Sequence, residues 1–265
     1  MAGASHNGAM TGGPTFSRYV ALGDSFTEGV GDPDPTRPHG LRGWADRVAE
    51  VLATRDPGFG YANLAIRGRK LRPILAEQLE PALALAPDLV TSYVGANDIM
   101  RPRVDLDALA AQYDAAVARL VATGATVVLF TAFDAGGSAI YRPIRGRFAL
   151  YTESVREIAD RHGCVLVDFW RMREYRDWGY WDTDRMHMGP AGHQRMATAV
   201  LDALGVPHDL EPLAPTVHPE LSPREQRARN LEWTRAHAVP WVHRRLTGRS
   251  SGDGLSPKRA GLEPI

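Results

Sequence analysis

A short apolar run, Tyr19-Val20-Ala21-Leu22, leads straight into Gly23-Asp24-Ser25-Phe26-Thr27-Glu28-Gly29, which places a serine at the mouth of a strand-to-turn transition. A serine hydroxyl becomes a nucleophile only when a base takes its proton. Histidine suits that role near neutral pH, and a carboxylate fixes its tautomer. The pair in Asp184-Arg185-Met186-His187 supplies both groups. Attack on a carbonyl also creates an oxyanion that needs preorganised donors; losing one costs roughly 3–4 kcal/mol of transition-state stabilisation. The backbone N–H groups of Ser25 and Gly68 and the side-chain amide of Asn97 are the candidates. Ser25 as nucleophile, His187 as base, Asp184 as orienter and these three donors make a complete set of roles for acyl transfer through a covalent serine intermediate.

These residues need a scaffold that brings them to one edge. Apolar, β-rich runs at 18–23, 59–65, 88–94, 125–132 and 164–169 alternate with helical patterns. Trp44, Val48, Val51 and Leu52 mark one helix. Leu106, Leu109, Tyr113, Val117 and Leu120 mark a second, and Phe148, Tyr151, Val155 and Ile158 a third. A last helix starts at Gly189-Pro190, where proline is tolerated in the first turn. Nearly continuous apolar strands between helices imply right-handed βαβ units, with a mostly parallel five-stranded sheet in an α/β/α sandwich. Ligands in such sheets sit at the carboxyl ends of the strands. Ser25, Gly68 and Asn97 each follow a predicted strand at that end.

The set resembles the SGNH hydrolases, also called the GDSL family of esterases and lipases. The resemblance rests on Gly23-Asp24-Ser25, on Gly68 in Asn63-Leu64-Ala65-Ile66-Arg67-Gly68, on Gly95-Ala96-Asn97-Asp98 and on Asp184-Arg185-Met186-His187, in the family's order. It implies a flavodoxin-like α/β/α domain and metal-free ester hydrolysis at an open cleft above the sheet. Ser25, Gly68, Asn97 and His187 take the roles argued above, with Asp184 as third member. Phe26 stands where the family usually has Leu, a change that touches packing behind the serine more than chemistry.

The remaining features bound the function. The chain has 265 residues, 44% of them hydrophobic, enough for one large domain with an appendage. No window approaches the ~18 uninterrupted apolar residues of a membrane-spanning helix. With 31 basic and 31 acidic residues no whole-chain field favours nucleic acid. No HExxH, CxxC or clustered histidines argue for a metal, and no cofactor is implied. Residues 1–17 read as a flexible leader without the features of a secretory signal, so the cytoplasm is the expected location. Cys164, in an apolar run, reads as a buried structural thiol. The hydrolase domain is expected over 18–206, a Pro/Arg-rich helical extension over 207–247 and an unstructured tail over 248–265. Within the extension Leu231, Trp233, Val239, Trp241, Val242 and Leu246 suit packing on the main domain. Arg224, Arg227, Arg229, Arg244, Arg245 and Arg249 read as a solvated face, with an acidic partner or a membrane surface as the alternative.

Five further readings are expectations of the same kind. Gly248-Arg249-Ser250-Ser251-Gly252 matches the G-x-S-x-G elbow pattern but lacks the flanking strand and helix. His193 reads as a packing or surface residue, and Glu28, Asp32 and Asp34 as a solvated loop. The segment from Asp134 to Arg147 is placed to line a cleft. There Arg142, Arg145 and Arg147 read as solvated, or as favouring an anionic substrate. Trp178, Tyr180 and Trp181 suit packing around the catalytic loop, or a sugar or aryl group. The chemistry expected is hydrolysis of a short-acyl ester of a soluble metabolite or carbohydrate. The rival readings are acyl transfer by the same residues and a non-catalytic binding domain of the same fold.

Overall fold

A computed structural model describes residues 12–138 and 141–265, the Arg245 side chain apart. The first eleven residues of the expected leader, and two residues of the 134–147 segment, lie outside it. The strands are β1 (Arg18–Gly23), β2 (Gly60–Asn63), β3 (Leu89–Tyr93), β4 (Thr126–Phe130), β5 (Val165–Val167) and β6 (Arg259–Glu263). The helices are α1 (Ser25–Glu28), α2 (Gly43–Ala53), α3 (Leu71–Ile74), α4 (Glu80–Ala84) and α5 (Ala96–Ile99). They continue with α6 (Leu106–Val121), α7 (Arg145–His162), α8 (Pro190–Leu204), α9 (Pro223–Trp233) and α10 (Val239–Leu246).

The sheet order is β5-β4-β3-β1-β2-β6. The first five strands are parallel, in the flavodoxin-like order that reverses at β1, where a ligand crevice opens between β1 and β3. β1 shows why both faces are apolar. Val20 and Leu22 enter a core with helices α3, α6 and α7, while Tyr19 and Ala21 enter a second core with α2 and α8. Its tyrosine hydroxyl survives burial because it shares a 2.9 Å hydrogen bond with Thr91.

Three expectations need correction here. The sheet has six strands, since β6 pairs antiparallel with β2, Tyr61 opposite Glu263 and Asn63 opposite Arg259. The terminal residues expected to be unstructured therefore include an edge strand. Its neighbour Lys258 is fully buried, its ammonium donating to Asp46 (3.0 Å), Arg42 O (2.8 Å) and Leu41 O (3.3 Å). The expected leader is also shorter: Phe16 is buried in the core, and Ser17 N–H donates to Asp88 at 2.8 Å. Finally, Glu28 and Asp32 are buried, not solvated. Glu28 accepts from the Arg67 N–H (2.7 Å) and its guanidinium, and Asp32 from Gly43 N–H (2.9 Å) and Arg47. Each carboxylate has exchanged water for a backbone donor and an arginine. Asp34 alone of the three stays in a partly exposed turn, accepting from Thr36.

Beyond α8 the chain crosses to α9, opened by a capping box between Ser222 and Glu225. A single π turn over Thr234–Ala238 joins α9 to α10. Pro240 in the first turn of α10 has no N–H to give the preceding helix, which is where such a widened turn is favoured. Among the described residues no helix is long and apolar enough to cross a membrane.

Candidate active site

The nucleophile candidate sits where β1 hands over to α1. Asp24 caps α1 by accepting from Phe26 N–H at 3.1 Å, which leaves Ser25 at the first helical position. Behind it Gln78 clamps Gly23 through both backbone groups, each bond 2.9 Å. Phe26 packs in an aromatic cluster, 4.0 Å from the Tyr93 ring and 5.5–5.7 Å from Trp44, Phe130 and Phe169. A large ring thus fills the space behind the serine without entering the chemistry.

Asp184 and His187 lie in the loop before α8. The imidazole Nδ1–H donates to Asp184 Oδ2 at 2.5 Å, while Asp184 Oδ1 accepts the backbone N–H groups of Met186 (2.8 Å) and His187 (2.9 Å). Burial works against this carboxylate, but His187 and the two N–H groups outweigh it and hold its pKa down at about 2. The carboxylate is thus charged at neutral pH and fixes the tautomer that leaves Nε2 as the proton acceptor. Ser25 and His187 line one cavity of about 140 Å³, which also receives Asp24, Gly68 and Asn97. No hydrogen bond joins the Ser25 hydroxyl to the imidazole, and such contacts commonly tighten only on substrate binding.

The donors differ in readiness. Neither the Ser25 nor the Gly68 backbone N–H has an acceptor among the described residues. Gly68 turns at φ 74°, a left-handed conformation that favours glycine, and a Cβ there would push the Ser250 hydroxyl aside. Asn97 sits in α5, entered through Gly95 at φ 86°. Its amide nitrogen donates to Asp24 (2.8 Å) and to Arg69 O (3.0 Å). Both amide hydrogens are thereby engaged, and Asn97 serves an oxyanion only by releasing one. Asp98 fixes the loop from the other side, accepting from Leu71 N–H at 2.8 Å. Asp24, almost fully buried beside these groups, has its pKa pushed up to about 7 by desolvation.

Several contributors were not expected at the site, although Trp233 and Trp241 were expected to pack on the main domain. Trp233 on α9 donates to Asp184 O at 3.1 Å, and Asn230 accepts from Arg185 at 3.0 Å. Arg185, at φ 58°, also stacks 5.0 Å over the Trp233 ring. The helical extension thus braces the loop that carries Asp184 and His187. From the chain's end, Trp241, Arg244 and Ser251 line the same cavity. Ser250 is no second nucleophile elbow: it follows a helix, its N–H donates to Asp253 (2.8 Å) and its hydroxyl accepts from Gly252.

The softer candidates sort cleanly. His193 is buried, accepting Trp44 N–H on Nδ1 and facing Val30 O with Nε2, both at 3.1 Å; desolvation holds it neutral, with a pKa near 4. Of the described residues of the 134–147 segment Tyr141 lines the cavity, with Phe133 and Phe148 flanking the segment on either side; its arginines do not. Arg145 pairs with Asp134 at 2.6 Å, and Arg147 donates to Arg101 O at 2.5 Å. Trp181 lines the cavity and anchors its Nε1–H on Tyr175 O (2.7 Å), whereas Trp178 lies outside it. Cys164 is half-buried, with burial pushing its thiol up to about 11. Among the described residues no cluster of His, Cys, Asp and Glu is arranged to hold a metal ion.

Residues 21–195 match the model of the GDSL-like Lipase/Acylhydrolase family. An acetylxylan esterase from Geobacillus stearothermophilus is 27% identical over 210 residues, covering 71% of this chain and 94% of that protein. A catalytic histidine-to-alanine mutant of Axe2, an acetylxylan esterase from the same organism, superposes with a TM-score of 0.62 at 25% identity, covering 75% and 98% of the two chains. An alpha/beta hydrolase enzyme from the metagenome of Lake Arreo, Spain, gives a TM-score of 0.60 at 27% identity, covering 71% and 95%.

Proposed function

The chain belongs to the GDSL-like lipase/acylhydrolase family and is a carboxylic ester hydrolase, and on that premise we propose that Ser25, His187 and Asp184 hydrolyse a short-acyl ester through an acyl-enzyme. The Ser25 hydroxyl proton passes to His187 Nε2 as Oγ bonds to the ester carbonyl carbon. The resulting oxyanion takes hydrogen bonds from the N–H groups of Ser25 and Gly68, and from Asn97 once it releases Arg69 O. The C–O bond to the alcohol then breaks, and His187 returns its proton to the leaving oxygen. Water attacks the acyl-serine by the reverse path, giving its proton to His187, and the acid departs as Oγ regains a proton.

The observation that carries this reading is the Asp184–His187 hydrogen bond facing the same small cavity as Ser25, beside two unengaged backbone N–H groups. The similar Axe2 structures, in which a catalytic serine or histidine is replaced by alanine, support the two roles. A cavity of about 140 Å³ suits an acetyl or similarly short acyl group, and a soluble carbohydrate or metabolite ester is the substrate class we favour. Hydrolysis of 4-nitrophenyl esters from acetate to palmitate tests both points. The expected result is peak kcat/KM at the shortest chains and loss of turnover in Ser25→Ala. A peak at palmitate refutes the acyl assignment, and undiminished turnover in the variant refutes the nucleophile.

A further inference from the structure

Arg244 distinguishes itself from the other arginines near the catalytic groups. Arg67 is paired with Glu28, Arg69 with Glu77 (2.8 Å) and Arg145 with Asp134, while Arg185 is held by Asn230. Arg244 is half-buried and lines the cavity that holds Ser25 and His187, yet among the described residues no side chain forms an ion pair or hydrogen bond with its guanidinium. Trp241, one turn earlier on α10, lines the cavity beside it, as an i,i+3 spacing on one helix face requires. The other cavity walls include Phe133, Phe148, Met186 and Trp181, so water screens a charge there less than on an open surface. Asp24 is the carboxyl group of the cavity, and it is engaged by Asn97 and Phe26 N–H instead of Arg244. A partly desolvated cation without a counter-charge, at the mouth of an ester-cleaving site, is built to receive an anion from the substrate.

We propose that Arg244 is a specificity-determining residue that selects esters carrying a carboxylate or comparable anionic group, and that the C-terminal extension supplies it to the active site. The inference rests on the esterase reading above but adds a substrate class to it. The anion has two sources, the acyl part or the alcohol part, and two substrate pairs separate them. 4-Nitrophenyl hemisuccinate against 4-nitrophenyl butyrate places the charge on the acyl side. 4-Acetoxybenzoate against its methyl ester places it on the leaving side. The readout is the ratio of kcat/KM for the charged and neutral member of each pair, in the unaltered protein, Arg244→Gln and Arg244→Lys.

In the unaltered protein the charged member of at least one pair is preferred. Arg244→Gln lowers that ratio about tenfold or more, the weight of a charge-assisted contact, and Arg244→Lys restores part of it. Raising salt reduces the preference in the unaltered protein. A ratio that is the same in all three proteins, or a loss that falls equally on charged and neutral esters, overturns the proposal. A preference for the neutral member of both pairs overturns it while leaving the esterase reading intact. Absence of hydrolysis of all four esters would remove both.

Discussion

Lys258→Met is expected to destabilise the protein by about 3–5 kcal/mol at pH 8, the usual cost of breaking a buried ion pair by removing one partner. Both side chains are fully buried, and the ammonium spends all three hydrogens on Asp46, Arg42 O and Leu41 O. Methionine keeps the stem's bulk, but strips two carbonyls of a donor and leaves Asp46 with only the Tyr61 hydroxyl at 2.9 Å. For a chain this long, about 4 kcal/mol corresponds to a fall in Tm of roughly 10 °C. The defect should also depend on pH. Burial already raises the Asp46 pKa, and Lys258 is the chief influence opposing that rise. Without Lys258 the folded state holds a proton on Asp46 still more tightly than the unfolded chain does. Stability of the variant therefore recovers as pH falls and Asp46 becomes neutral. Urea unfolding followed by tryptophan fluorescence at pH 8 and pH 5 gives both quantities. The deficit should be smaller at pH 5, and Asp46→Leu added to Lys258→Met should restore most of the loss. A deficit below about 1 kcal/mol at pH 8, or one that neither acid nor the second substitution relieves, would show that the Lys258–Asp46 pair does not carry this stability.

Two further outcomes follow from the site. Asn97→Ala should lower kcat by ~10²-fold with KM little changed, as for removal of one oxyanion donor; steady-state kinetics on a 4-nitrophenyl ester checks it, and an unchanged kcat removes Asn97 from that role. His193 has a folded pKa near 4 against 6.5 for the free side chain. Its neutral form therefore contributes stability that is complete above pH 6.5 and lost as pH falls toward 4, about 2 kcal/mol by pH 5. His193→Gln should flatten that part of the urea-midpoint profile, and an unaltered acid slope would show that His193 is not its source.

What was legible in the sequence is what local pattern determines. The five parallel strands were readable from apolar runs because both their faces are covered, and Ser25, Gly68 and Asn97 were readable because short turns after strands fix their positions. The missing parts depend on partners far away in the chain. β6 is five residues long with a glycine at its centre and gains strand character only by pairing with β2. Lys258 can be buried only because Asp46, 212 residues earlier, is buried too. Glu28 and Asp32 looked solvated because nothing local announces Arg67 or Arg47 as their counter-charges. Likewise α9 shows a polar surface, yet Trp233 and Asn230 reach back to the loop of Asp184. Arg244 reads as one of a solvated row until the turn of α10 points it at the cavity.

Ester cleavage as proposed depends on Ser25 as the nucleophile activated by His187. Treatment with a fluorophosphonate, followed by digestion and mass spectrometry, addresses it directly. One phosphonyl adduct is expected, on Ser25, strongly slowed in His187→Ala. An adduct on Ser251, which lines the same cavity, or on its neighbour Ser250, or labelling of Ser25 at an equal rate without His187, would contradict it.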